Sequence, residues 1–165
     1  MLRRLAHFFT SKEFLQTNIG DRIRWFRNRI GLTQKQLGMR VGFPDSNADI
    51  RIAQYEVGTR KPKADLTAAF AKASGVSPLA LSIPYINNPL ALIHMLFALE
   101  DCYGMWIEQG NGTFQICADP YNNQQAAQLY EMLGEWCNQY EKHLSGAITK
   151  QEYDSWRYNY TGGEK

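Results

Sequence analysis

Three polar side chains in the first third of the chain have the types and the spacing of residues that contact DNA bases. Asn47, Arg51 and Gln54 occupy positions i, i+4 and i+7, so on a helix they share one stripe. An arginine can donate two hydrogen bonds to guanine O6 and N7, and an asparagine or glutamine can bond adenine N6 and N7 in the same bidentate way. The same residue types also suit a solvated helix face, so the stripe predicts base recognition only if the surrounding elements present it to DNA.

The segment before the stripe has the apolar periodicity and the end signals of two short helices. The first is predicted over about 20–30 and ends at Gly31. The second follows Thr33 as its N-cap and ends at Gly42. A third helix over about 47–57 would carry the stripe. Ser46-x-x-Asp49 has the pattern of a capping box at its start, and the residues expected to face the core are Ala48, Ile52 and Tyr55.

This order of apolar, polar and glycine positions over residues 19–82 resembles the Cro/Xre family of helix-turn-helix transcriptional regulators. The most specific matches are Thr33-Gln34, which opens one helix, and Tyr55-Glu56-x-Gly58, which closes the next. The resemblance implies a five-helix, lambda-repressor-like domain with its third helix in the major groove of DNA. It also implies a close helix crossing at Gly38 and a partly buried ion pair between Arg27 and Glu56. About four additional residues between Gly42 and Tyr55 depart from the commonest family pattern.

A second set of residues is expected to hold the DNA backbone beside the third helix. The resemblance implies that Gln34 binds a phosphate through its side chain and through the N-terminus of its helix. The loop after the third helix adds further donors. The complete expected set is Gln34, Lys35, Ser46, Thr59, Arg60, Lys61 and Lys63.

The distribution of charge supports a DNA-binding first half. Residues 1–63 hold thirteen Lys and Arg against five Asp and Glu, whereas residues 64–165 hold five against eleven. The formal net charge of the whole chain, +2, hides that division. Chance clustering of charges on solvated faces is the alternative explanation of this division. A basic half attracts the phosphate backbone of DNA, whereas an acidic half is repelled by it, so the division is the one expected of a DNA-binding first half.

Turn-rich residues 83–89 predict a joint after a fourth helix over about 64–74 and a short fifth helix from Ser77 to Leu81. The expected parts are therefore an N-terminal arm over 1–18, a DNA-binding domain over 19–83 and a second domain over 89–160. In the arm, Thr10 and Glu13 have the spacing of a capping box for a short helix.

The second domain is predicted to be α+β, in the order helix, β-hairpin, long helix and short helix, so the fold as a whole is mainly α. Residues 90–101 are almost wholly apolar, which predicts a helix buried on several sides. Asn111-Gly112 predicts the hairpin turn. Asp119-Pro120 would open the long helix, to about His143, and Thr149-x-x-Glu152 would cap the last one.

Aromatic side chains are abundant in this domain, and most are expected in its core, with a surplus for a dimer interface. They are Trp106, Tyr130, Trp136, Tyr140, Tyr153, Trp156 and Tyr158.

The sequence contains no recognisable catalytic or metal-binding motif. Three scattered cysteines, at 102, 117 and 137, are typical of a reducing cytosol and lack the paired spacing of a zinc site. His94 on the apolar helix is interpreted as a core histidine. No apolar run approaches the roughly 20 residues of a membrane span. We therefore expect a cytoplasmic protein that is not an enzyme and that has no cofactor and no bound metal.

These observations lead to one main hypothesis and two rivals. The main hypothesis is a sequence-specific transcriptional regulator, a repressor and homodimer that binds double-stranded DNA. Its second domain would dimerise and respond to a protein or small-molecule effector. One rival is an antitoxin-like DNA-binding protein whose acidic half binds a partner protein. The other is an interaction module whose helix-turn-helix no longer contacts DNA.

Overall fold

The computed structural model describes residues 18–84, 86 and 88–162, so the predicted N-terminal arm, Asn18 excepted, lies outside the described residues. In this described part the chain forms eight helices and one two-stranded antiparallel sheet, which confirms a mainly α fold with a small α+β part. The chain divides into two compact units. The first extends to residue 74 and takes in 81–89, and the second comprises 75–80 and the described residues from 90 onward.

The first unit is built around α1 (Ile19–Arg29), α2 (Gln34–Val41), α3 (Ala48–Glu56) and α4 (Ala64–Ser74), and the short α5 (Pro78–Leu81) follows. Local signals set the limits of α2. Thr33 and Gln36 form a reciprocal capping box, which satisfies two backbone N–H groups at its start. Gly42 ends it in the left-handed conformation, with φ at 100°.

The predicted capping box at the start of α3 is wrong. The N-cap is Asn47 rather than Ser46, and no side chain caps this helix. The turn before α3 runs one residue further than predicted, because Asn47 N–H donates to the carbonyl of Pro44. Asp49 is therefore the second helical residue, where it cannot complete a box with Ser46.

The core of the first unit lies where α1, α2 and α4 meet the inner face of α3. Its side chains are essentially inaccessible to solvent and include Ile23, Phe26, Leu37, Ala48, Ile52 and Phe70. Burial of each large apolar side chain stabilises the folded state by about 1.5–3 kcal/mol. Tyr55 packs edge-on against the ring of Phe70, with centroids 5.4 Å apart.

Gly38 confirms the close crossing of α2 and α3. A Cβ built on Gly38 would lie 2.7 Å from the carbonyl oxygen of Ala48, which is closer than van der Waals contact allows. The glycine therefore sets the distance between the two helices, at the cost of some helix propensity.

The second unit contains α6 (Pro89–Tyr103), β1 (Met105–Gly110), β2 (Thr113–Ala118), α7 (Gln124–Leu144) and α8 (Lys150–Asn159). The predicted hairpin is confirmed, with Asn111 and Gly112 at positive φ in its turn. The capping box of Thr149 and Glu152 at the start of α8 is confirmed as well.

The predicted start of the long helix is wrong. The carboxylate of Asp119 accepts a hydrogen bond from Tyr121 N–H in a local turn, so the chain is not yet helical there. The helix α7 begins after Asn123, whose side chain caps Ala126 N–H.

Burial in the second unit differs most from expectation. None of the fifteen residues of α6 is buried, and His94 is exposed rather than in a core. Among the predicted core aromatics Tyr153 is buried, but Trp106, Tyr130, Trp136 and Tyr140 are 41–51% exposed. The hairpin and the packed pair α7 and α8 do not provide enough surface to cover one another's apolar faces.

Tyr153 joins α7 and α8. Its hydroxyl accepts a hydrogen bond from Trp136 Nε1 at 2.7 Å, and its ring stacks on His143 at 5.3 Å. Tyr160 donates to the carboxylate of Glu135 at 2.7 Å, which ties the end of α8 to α7. Among the described helices, none has the combined length and apolarity needed to cross a bilayer.

Candidate nucleic-acid interface

The outer side of α3 presents two of the three predicted base-contacting residues as a pair. Arg51 and Gln54 lie three positions apart on the same helix, away from the buried Ala48 and Ile52. The guanidinium carbon of Arg51 lies 5.1 Å from the centre of the Phe43 ring, within cation–π range. The turn residue Phe43 thus orients the long side chain of Arg51, a contact that sequence patterns did not indicate.

Asn47, the third member of the stripe, has a different position. It is the N-cap of α3, and its side-chain oxygen is buried without a hydrogen-bond partner among the described residues. Asn47 therefore precedes the helix that carries Arg51 and Gln54, and its amide oxygen is buried.

The loop after α3 presents four of the expected phosphate-binding residues to solvent. Thr59, Arg60, Lys61 and Lys63 are all exposed. The backbone of the loop is nevertheless fixed at both ends. Arg60 N–H donates to the carbonyl of Gln54 at 3.1 Å, and the carbonyl of Lys63 accepts from Thr67 N–H at 2.9 Å. A fixed backbone with exposed donors is a suitable arrangement for holding a phosphate.

The start of α2 offers backbone donors, while its side chains are engaged within the protein. The first N–H groups of a helix have no intrahelical acceptor and bind anions readily. Gln34, however, donates its side-chain amide to Glu56 Oε2 at 2.9 Å, and Lys35 Nζ lies 3.0 Å from a carboxylate oxygen of Asp45. Ser46 is exposed in the turn before α3.

A buried carboxylate holds the helices that position this surface. The side chain of Glu56 is fully buried, and Arg27 clamps it with Nε at 2.5 Å from Oε1 and Nη2 at 3.0 Å from Oε2. Arg27 also donates to the carbonyl of Leu32 at 2.8 Å. Arg24 adds a weaker contact, with Nε 3.5 Å from Oε2. Together with Gln34, these contacts join α1, α2 and α3 around one charge.

The sequence analysis missed the contacts of Arg24 and Gln34 with Glu56. The contact of Arg24 could have been predicted, because Arg24 lies three positions before Arg27 and therefore on the same face of α1. No local signal was available for Gln34, because its contact with Glu56 spans 22 residues.

Other chemistry is sparse in the part of the chain that the structure describes. It holds no cluster of three or more His, Cys, Asp or Glu side chains that could bind a metal ion. The three cysteines are free thiols.

Comparison with known proteins gives little further guidance. No family model and no curated protein matches the chain. One solved structure that it resembles is that of the transcriptional regulator BswR. The two share 27% identity over a region that covers 50% of this chain and 92% of that one, with a TM-score of 0.38. A TM-score at this level does not establish a common fold.

Proposed function

We propose that this protein is a sequence-specific DNA-binding transcriptional regulator that acts as a homodimeric repressor. The observation that carries the proposal is the division of α3 into two faces. Ala48 and Ile52 are buried in the core, whereas Arg51 and Gln54, on a neighbouring stripe of the helix, are only half-buried. A helix held in this way, with a cationic loop after it, has the geometry of a major-groove recognition helix.

Arg51 and Gln54 supply the base contacts in this proposal. Their donors suit guanine and adenine edges, and each bidentate contact discriminates against a wrong base by about 1–3 kcal/mol. The contact with the Phe43 ring restricts the side chain of Arg51 before binding, so less side-chain entropy is lost on binding.

The phosphate contacts come chiefly from the loop after α3. Arg24 and Arg27 share the carboxylate of Glu56, and Lys35 is paired with Asp45, so these cations are partly neutralised within the protein. Arg60, Lys61 and Lys63 are exposed in the loop. Each phosphate that they neutralise steepens the log–log salt dependence of binding by about 0.9.

Selection of binding sites from random DNA by the purified full-length chain tests the proposal. We expect an enriched inverted repeat, because a two-fold dimer contacts two half-sites. The double variant Arg51→Ala/Gln54→Ala should lose the enrichment but keep salt-sensitive binding. Lys72→Ala, which removes a cation of α4 outside both proposed contact sets, is the matched control and should select the same site. Enrichment of an unchanged site by the double variant would disprove these base contacts.

The acidic second unit favours one alternative, an antitoxin-like protein that also binds DNA. Residues 90–162 hold nine Asp and Glu against three Lys and Arg. A basic protein that co-purifies with the full-length chain and is released by high salt would support this alternative.

A further inference from the structure

We infer that the exposed groove between α6 and the β-hairpin is the dimer interface, and that a second copy of this chain occupies it. The groove has a volume of about 320 Å³, and its lining residues are Ile93, Leu96, Phe97 and Glu100 on α6 and Met105, Trp106, Ile107 and Ile116 on the hairpin. The inference rests on the proposed function, which requires a two-fold dimer. It identifies the surface through which the two copies would associate.

The hairpin has one apolar face and one polar face. Its register pairs Met105 with Ala118, Ile107 with Ile116, and Gln109 with Phe114. Directly paired residues lie on the same face of an antiparallel pair, so five of these six side chains form one apolar surface. The opposite face carries Trp106, Glu108, Gly110, Thr113, Gln115 and Cys117.

In the part of the chain that the structure describes, most of the apolar face is uncovered. Ile107, Ile116 and Phe114 are 49%, 54% and 74% exposed. An isolated two-stranded hairpin is marginally stable in water and needs a further layer on its apolar side. On the other wall of the groove, α6 leaves Phe97 50% exposed and buries none of its residues.

The exposed area fits a dimer. Six large apolar side chains of α6 and the hairpin are about half exposed or more: Leu90, Leu92, Phe97, Ile107, Phe114 and Ile116. If each leaves on the order of 100 Å² exposed, the six together expose about 600 Å², about three quarters of the roughly 800 Å² that each partner buries in a standard interface. This area is at the upper end of what a typical monomer exposes in its largest apolar patch.

Charge indicates which partner fits. The second unit is acidic, but the apolar face of the hairpin has no charged side chain, and Glu100 is the one charged residue that lines the groove. A basic partner protein would find few carboxylates here to pair with. A second copy brings an equally uncharged surface, and its own carboxylates stay outside the contact.

The same surface also contains both parts that a two-fold contact needs. In such an interface one patch must complement itself, so it must offer a ridge as well as a groove. The α6 helix is apolar around most of its circumference, and its fifteen residues extend about 22 Å. Apolar side chains of α6 in each copy can therefore enter the groove of the other.

Sedimentation velocity of the full-length chain without DNA tests the inference. We expect a species of twice 18.9 kDa at micromolar concentration. Ile116→Glu places a carboxylate on the apolar face in both copies and should weaken the dimer by about 100-fold or more, since each charge would be buried without a partner. Gln115→Lys is the matched control, because it adds a charge one residue away on the opposite face, where it is paired with Glu108. It should leave the dimer constant within about twofold.

Hydrogen exchange of the wild-type chain provides a second test that needs no variant. Amides of residues 105–118 should lose protection on dilution, while those of α1 and α3 should not. A monomeric wild type, a dimer that survives Ile116→Glu, or protection of 105–118 that does not change with concentration would each overturn the inference. Arg51→Ala should remain dimeric. A dimer that selects no DNA site would contradict the proposed function alone.

Discussion

The two units of this protein use their apolar residues in opposite ways. Eight of the ten buried hydrophobic residues identified in the described chain lie in the first unit, and two, Ala126 and Tyr153, lie in the second. Of the eighteen large apolar residues found exposed, thirteen belong to the second unit. The first unit therefore closes its own core and exposes polar donors. The second leaves apolar surface available for a partner, so its stability should depend on association.

The strongest test of this contrast compares one phenylalanine from each unit. Phe70→Ala should destabilise the first unit by about 3–5 kcal/mol, because the ring is fully buried between Tyr55 and Phe43. Phe114→Ala, at a ring 74% exposed, should cost the isolated chain far less and act mainly on the dimer. Thermal unfolding at several protein concentrations measures both. If both variants lost the same stability, and the loss did not depend on protein concentration, the two units would not differ in the way described.

Glu56→Gln tests whether the buried charge holds the first unit together. Removing the carboxylate leaves Arg27 with little solvent and no counter-charge, which should cost about 3 kcal/mol. Asp49→Asn, at an exposed position of the same helix, is the control and should stay within about 0.5 kcal/mol of wild type. Chemical denaturation gives the free energy of unfolding, and an unchanged value for Glu56→Gln would show that the ion pair contributes little.

Gly38→Ala addresses the spacing of α2 and α3. Alanine favours the helix by up to about 1 kcal/mol, but its methyl group would meet the Ala48 carbonyl, so a net loss of about 1–2 kcal/mol is expected. Gly134→Ala on α7, where an added Cβ meets nothing within 4 Å, should instead stabilise its helix. If Gly38→Ala also raises the melting temperature, the helices do not cross as closely as described.

The smallest expected effect concerns the capping box of α8. Hydrogen bonds from the backbone and side chain of Thr149 lower the pKa of Glu152 below its usual value. A carboxyl whose pKa is lower in the folded state adds stability above its unfolded pKa, and this is lost as the pH falls through the folded value. Glu152→Gln should therefore flatten the dependence of stability on pH in the acidic range. An identical pH profile for the variant would argue against the box.

Features with local causes were predictable from the sequence. The N-cap Thr33, the left-handed Gly42 and the Asn111-Gly112 turn each determine an element through neighbouring residues alone, and all three are confirmed. Ser46 failed as a cap because a local turn, closed by the hydrogen bond from Asn47 N–H to the Pro44 carbonyl, moved the helix start by one residue.

Contacts across the chain were harder to predict. The resemblance suggested Arg27 opposite Glu56, but Gln34 and Phe43 acquire their partners only when the helices pack. Burial of α6 was overestimated because apolarity shows that a helix needs covering and does not show which chain covers it. The base-contacting and phosphate-binding assignments remain predictions.

The separation of the two faces of α3 has a practical consequence for protein engineering. Ala48 and Ile52 are buried in the core, while Arg51 and Gln54 are half-buried on a neighbouring stripe. Positions 51 and 54 can therefore be randomised together in a combinatorial library, with most members expected to fold, since substitutions outside a packed core usually destabilise less than those within it. Screening such a library against different DNA targets would test directly whether these two positions determine a DNA specificity.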